Sequence, residues 1–167
     1  MELKFMKIHS SAIIPERATL QSAGFDLHVV LEFGTMTTTD GKTVSVNSDC
    51  QSGTPFVIIP PHSTLVVRTG LAVQPSREDV ALFIYPRSGL ATKNGIDLAN
   101  GVAVIDSDYR GEMCLPLRNN SDNDFILKHG DRVAQLVVTP VIFASTKEVS
   151  FLDETTRGAN GFGSTGI

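Results

Sequence analysis

An all-β barrel or sandwich is the fold this 167-residue chain predicts. Three observations carry that expectation. Glycine and proline recur at short intervals, among them Pro60, Pro61, Gly70, Pro75, Pro86, Gly95, Gly101, Gly111 and Gly130. Between them lie short runs rich in β-forming residues. Only one short segment, about Gly89 to Lys93, suits a helix, and it follows directly on an apolar run. The length fits one domain with a real hydrophobic core.

Taken in order, Met1 to Ile8 mixes Glu2, Lys4 and Lys7 with apolar residues and does not resemble a signal peptide. Residues 33–55 are rich in Thr, Ser, Gly and Asp, yet Lys42 to Val46 alternates as a strand does, which predicts a long surface hairpin or loop. Strands are expected at Phe56 to Ile59, Thr64 to Val67, Val80 to Tyr85 and Val133 to Val138. From Thr155 the chain is glycine-rich and lacks an apolar period, as expected of an arm that is mobile when nothing is bound. The expected organisation is therefore a β domain over residues 1–154, carrying the 33–55 insert, and a flexible C-terminal arm over 155–167.

The formal net charge of −4 offers no global basic field for nucleic acid. A polyanionic ligand would have to be held by a few local cations. No apolar run is long enough to span a bilayer, so an intracellular, soluble protein with no membrane partner is expected. Cys50 and Cys114 form no metal-type cluster and fit either free thiols in a reducing interior or one disulfide.

Four segments carry chemistry. In Ile84 to Leu90 a strand runs into Pro86, Arg87, Ser88 and Gly89. The arginine fork, the serine hydroxyl and the N–H groups of a helix start all suit phosphate oxygens, although a solvated arginine beside a helix cap reads equally well. In Asn100 to Glu112, Asp106 follows the apolar pair Val104 and Ile105. If the run stays extended, Asp106 and Asp108 share a face; otherwise this is an Asp-Ser-Asp turn. In the tail, Phe162 stands alone among glycines, where an aromatic ring can stack on a base or dock on a neighbouring subunit. In Gly130 to Val138, Gln135 is the polar residue of an apolar strand, and an outward-facing position explains it without a role.

Together these segments resemble the five motifs of the trimeric dUTPase family. They are Ala23 to Leu27, Pro86 to Ala91, Asn100 to Gly111, Gly130 to Leu136, and Arg157 to Gly166, in the family's order and over nearly the whole chain. The resemblance implies a jelly-roll-like β-barrel (the dUTPase-like β-clip), assembled as a homotrimer whose sites are shared between chains. It implies hydrolysis of dUTP to dUMP and pyrophosphate with Mg2+, which keeps uracil out of DNA and supplies dUMP for dTMP synthesis. Asp106 matches the carboxylate that activates the attacking water. Asn100, Ala103, Val104, Ile105 and the region of Cys114 match the hairpin that reads uracil. Tyr109 matches the ring under the deoxyribose that leaves no room for a 2′-hydroxyl. Arg87, Ser88, Gly89 and Gln135 match phosphate contacts, and Asp26 matches a carboxylate supporting hydrated magnesium through water. Arg157, Gly163 and Ser164 match the arm that closes over the terminal phosphate, with Phe162 on the base.

The chain departs from the family pattern in two places. Ala103 stands where the family usually has glycine, and residues 33–55 are longer than in compact members. Two other readings compete. A dCTP deaminase of the same fold needs a catalytic glutamate at the position held by Pro116. A regulatory role would use the 33–55 insert to bind a protein partner.

Overall fold

The computed structural model describes residues 1–161. Period-two burial, ended by the glycines and prolines already noted, sets the strands. They are β1 (Leu3–Lys7), β2 (Phe25–His28), β3 (Gly34–Thr37), β4 (Thr43–Ser48), β5 (Pro55–Ile59), β6 (Thr64–Arg68), β7 (Leu71–Pro75) and β8 (Val80–Pro86). After helix α1 (Ser88–Asn94) come β9 (Ile96–Leu98), β10 (Ala103–Ile105), β11 (Cys114–Asn119), β12 (Phe125–Lys128) and β13 (Arg132–Pro140). The strands group into small sheets with the orders β1-β7, β10-β8-β13-β2, β6-β11-β9 and β12-β5-β4-β3. Their inner faces meet in one core, where Leu27, Ile59, Leu65, Leu82, Ile84, Leu115, Leu127 and Leu136 are fully buried. Such a core drives folding by removing apolar surface from water. The result is the expected all-β, jelly-roll-like body with a single short helix among the described residues. No described helix is long and apolar enough to cross a membrane.

The 33–55 segment is a hairpin, as its alternation predicts, but it is more than a surface loop. β3 pairs with β4, and β4 pairs in turn with β5, so the hairpin adds two strands to the sheet of β5 and β12. Val46 is buried in the common core. A polar clip closes the turn: Thr38 donates to Asp40, and the Lys42 ammonium bridges Asp40 and Ser63. The Thr38 hydroxyl and Lys42 hold the Asp40 carboxyl down to about 2.

The last described strand ends at Pro140, within the body expected over residues 1–154. The Val141 N–H still bonds to the Asp79 carbonyl at 3.0 Å. Residues 142–161 contain no strand or helix, and Ile142, Phe143, Phe151 and Leu152 present their side chains to solvent.

Candidate active site

The sheet β10-β8-β13-β2 carries Asp26, Ala103, Val104, Ile105 and Gln135, and Arg87 and Asp106 follow directly on two of its strands. β13 lies between β2 and β8, and its register sets Gln135 opposite Asp26 on one side and Tyr85 on the other. Residues directly opposite one another project to the same face. Arg132, three residues from Gln135, would face the other way in a regular strand. A bulge between Arg132 and Ala134 adds one residue, so Val133 and Ala134 are buried in succession and Arg132 comes round opposite His28.

That bulge completes an ion cluster. The Arg132 guanidinium donates to Asp26 Oδ2 at 3.0 Å, and Arg87 Nε lies 3.2 Å from Asp26 Oδ1. Arg87 Nη1 also donates to the Arg132 carbonyl at 3.1 Å. Gln135 Nε2 donates to the Pro86 carbonyl at 3.1 Å. Gly24 makes room for this glutamine, because a Cβ there would stand 2.8 Å from Gln135 Oε1. The glycine of the first motif is thus a spacing requirement of the fourth.

Arg87 is the extended N-cap of α1, with φ −90° and ψ 126°. The first N–H groups of a helix have no intrahelical acceptor, and here they belong to Ser88 and Gly89. A Cβ at Gly89 would meet nothing within 4 Å, so the space over the helix start is open. Asp26, Arg87, Ser88, Gly89, Arg132 and Gln135 line one cleft of about 550 Å³. Lys93, from the last turn of α1, lines it too. Arg132 and Lys93 add positive charge that sequence reasoning did not assign. Arg132 lay hidden behind the bulge; Lys93 had only its helical position as a signal.

His28 sits beside this cluster with Nδ1 buried and without a hydrogen-bond partner among the described residues. Burial lowers its pKa; Asp26 opposes the shift, while Arg132 and Arg87 add to it.

Asp106 lies elsewhere. It follows β10 directly and is exposed. The run does not stay extended: the Tyr109 N–H bonds back to the Asp106 carbonyl at 3.1 Å, closing a turn through Ser107 and Asp108. The condition for Asp106 and Asp108 to share a strand face is therefore not met. Asp106, Val104 and Asp108 line a second cleft with Glu78, Phe83 and Phe143. Asn100 is exposed in the turn after β9. Ala103 is buried against the core while Val104 faces outward, so the extra methyl points inward. Ile105 is half-buried against the same core. Cys114 opens β11; burial and the nearby Glu112 charge push its thiol pKa up, with Arg68 opposing. Both cysteines are free thiols.

Tyr109 is half-exposed, and its hydroxyl donates to the Glu112 carbonyl at 3.1 Å. Gly111 makes this possible, since a Cβ there would stand 2.2 Å from the Tyr109 oxygen. Arg157 is exposed in a turn and donates from Nε to the Asn160 carbonyl at 3.0 Å. Phe162, Gly163 and Ser164 lie outside the described residues. One chain therefore brings Asp26, Arg87, Ser88, Gly89 and Gln135 to one cleft and places Asp106 in another.

Among the described residues no group of three or more His, Cys, Asp or Glu side chains is placed to hold a metal ion. Asp26, the carboxylate of the Arg87 cleft, is engaged by two guanidiniums. The described protein groups therefore do not cage a cation; they suit one carried in on a ligand's phosphates better.

A family model described as dUTPase matches residues 48–166. The deoxyuridine 5'-triphosphate nucleotidohydrolase of Nautilia profundicola is 40% identical over 166 residues, covering 99% of each chain. That of Helicobacter pylori is 39% identical over 167 residues, covering 100% of this chain and 98% of the relative. In fold, the chain is similar to the Staphylococcus bacteriophage 80alpha dUTPase solved with dUPNHPP. The TM-score is 0.75 at 22% identity, with 99% of each chain covered.

Proposed function

This chain belongs to the dUTPase family, and from that premise we propose that it hydrolyses dUTP to dUMP and pyrophosphate by water attack on the α-phosphorus. The observation that carries this reading is the convergence of Arg87, the free Ser88 and Gly89 N–H groups and Gln135 on one open cleft. Preorganised donors of this kind stabilise phosphate charge without reorganising during reaction.

Asp106 takes the proton of the attacking water. The new bond forms between water oxygen and Pα, the Pα–O bond to the β-phosphate breaks, and pyrophosphate leaves with the electron pair. Positioned general bases contribute about 10²- to 10⁴-fold. Tyr109 packs under the deoxyribose, and Asn100 with the backbone of Ala103 to Asp106 and near Cys114 reads the uracil edge. Arg157 and the tail beyond it cover the terminal phosphate. Magnesium brought in with the substrate would supply charge neutralisation on the phosphates, with Asp26 supporting it through water; through its ion pair Asp26 also holds Arg87 in place.

The geometry also favours sites shared between chains of a homotrimer. Ile105 pairs with Leu82, so Asp106 falls beside Ala81, six residues before Arg87 along β8. At about 3.3 Å per residue the two are about 20 Å apart. That separation is long for one triphosphate to bridge, and a second chain would supply a nearer partner.

Pro116 argues against deamination of dCTP: a proline on β11 has no side-chain group for proton transfer. The test is pyrophosphate release from dUTP, dTTP, dCTP and UTP, with and without magnesium. Release from dUTP alone, dependent on magnesium, is expected. Ammonia from dCTP, or equal turnover of all four, overturns the proposal.

A further inference from the structure

Glu112 is the most enclosed carboxylate in a network that joins three distant parts of the chain. Its side chain is 14% exposed. Oε1 accepts the Gly70 N–H at 2.8 Å, and Oε2 accepts Arg68 Nε and Nη2, both at 2.9 Å. Arg68 also donates from Nη1 to Glu32 at 3.0 Å, and Glu32 meets His9 at 3.2 Å. Gly70 is fixed in turn. Its φ of +68° is a left-handed conformation, and a Cβ there would stand 2.9 Å from the Ala12 methyl. The next residue, Met113, is tied to the same corner: its N–H bonds to the Leu71 carbonyl, and its carbonyl accepts the Thr69 hydroxyl at 2.8 Å. A residue pinned on both sides has a backbone carbonyl fixed in space. That carbonyl is the one that accepts the Tyr109 hydroxyl.

We infer that Glu112 is a positioning residue for sugar discrimination, setting the height and tilt of the Tyr109 ring through its own carbonyl. The inference rests on the proposed placement of Tyr109 under the deoxyribose. The Gly70 N–H and the Arg68 guanidinium act as the two anchors, and Gly111 supplies the gap through which the tyrosine folds back. A ring that excludes a 2′-hydroxyl by contact must be held to within a fraction of an ångström, and loosening it admits the larger sugar before it harms the smaller one.

The experiment measures kcat/KM for dUTP and for UTP in the wild type, Glu112→Ala, Glu112→Gln, Tyr109→Phe, Tyr109→Ala and Glu112→Ala with Tyr109→Phe, each with a thermal melt. The dUTP/UTP ratio should fall about tenfold or more in Glu112→Ala and in Tyr109→Phe, and the double variant should be no worse than the worse single one. Glu112→Gln keeps an acceptor for Gly70 and folds if the alanine variant does not; it should show a smaller fall in the same ratio. A lower melting temperature with an unchanged ratio overturns the inference, as do effects that multiply in the double variant. If Tyr109→Ala relaxes the ratio while the Glu112 variants keep it, the inference fails alone. If Tyr109→Ala also leaves it unchanged, the placement of the tyrosine under the sugar fails, and the inference with it.

Discussion

Arg87 and Asp106 are held by opposite means. Around Arg87, side chains of β2 and β13 lock onto Arg87 and the end of β8, so the cleft depends on sheet register and on one bulge. Asp106 and Tyr109 are held by a four-residue turn and by the pinned carbonyl of Glu112. A register-built cluster tolerates local change but fails when a strand slips. A turn-built pair behaves the other way: its neighbours along the chain decide everything.

The sharpest way to break the contrast is Asp106→Asn. Turnover should fall by about 10²- to 10⁴-fold, with binding of a non-hydrolysable dUTP analogue within about threefold. Calorimetry beside a pyrophosphate assay decides the split, and loss of binding would move Asp106 into the phosphate cleft's role. The same variant tests the sharing of sites. Unfolded and refolded together with inactive Arg87→Ala, it should regain activity, because about a quarter of sites in random trimers then carry both native residues. No recovery would mean that both groups serve one chain.

A smaller effect is expected from Gly24→Ala. The new methyl forces Gln135 off the Pro86 carbonyl, so kcat/KM should fall about tenfold while the melting temperature drops only a few degrees. Stopped activity with a large stability loss would show that β2 itself had shifted. The smallest effect concerns His28. Its folded pKa is depressed below the ordinary 6.5, so the unfolded chain takes up the proton first. Stability should be fully present above about pH 6.5 and decline as pH falls below it, read as the melting temperature between pH 7.5 and 5. A His28→Asn variant with the same decline would assign the effect to another group.

Much of this fold was legible in the sequence because its signals are local. The runs Phe56 to Ile59, Thr64 to Val67, Val80 to Tyr85 and Val133 to Val138 lie within the strands found, and Gly89 to Lys93 lies within α1. The docking of the 33–55 hairpin was not legible, since its strands are rich in threonine and serine and only Val46, with the partly buried Met36 and Val44, ties them to the core. Within the site, Arg87, Ser88, Gly89, Gln135 and Asp26 line one cleft. Arg132 escaped because strand alternation put it on the wrong face, and only the successive apolar Val133 and Ala134 betray the bulge. The Glu112 network escaped because its partners stand 36 to 44 residues apart along the chain, where no periodicity connects them.

β8 is seven residues long, with Arg87 just past one end and Asp106 beside the other. That length turns a chemical requirement into a concentration scale. Under the proposed sharing of sites, a chain diluted out of its assembly would lose turnover, so activity measured at decreasing enzyme concentration would report the dissociation constant of the assembly before it reported the chemistry.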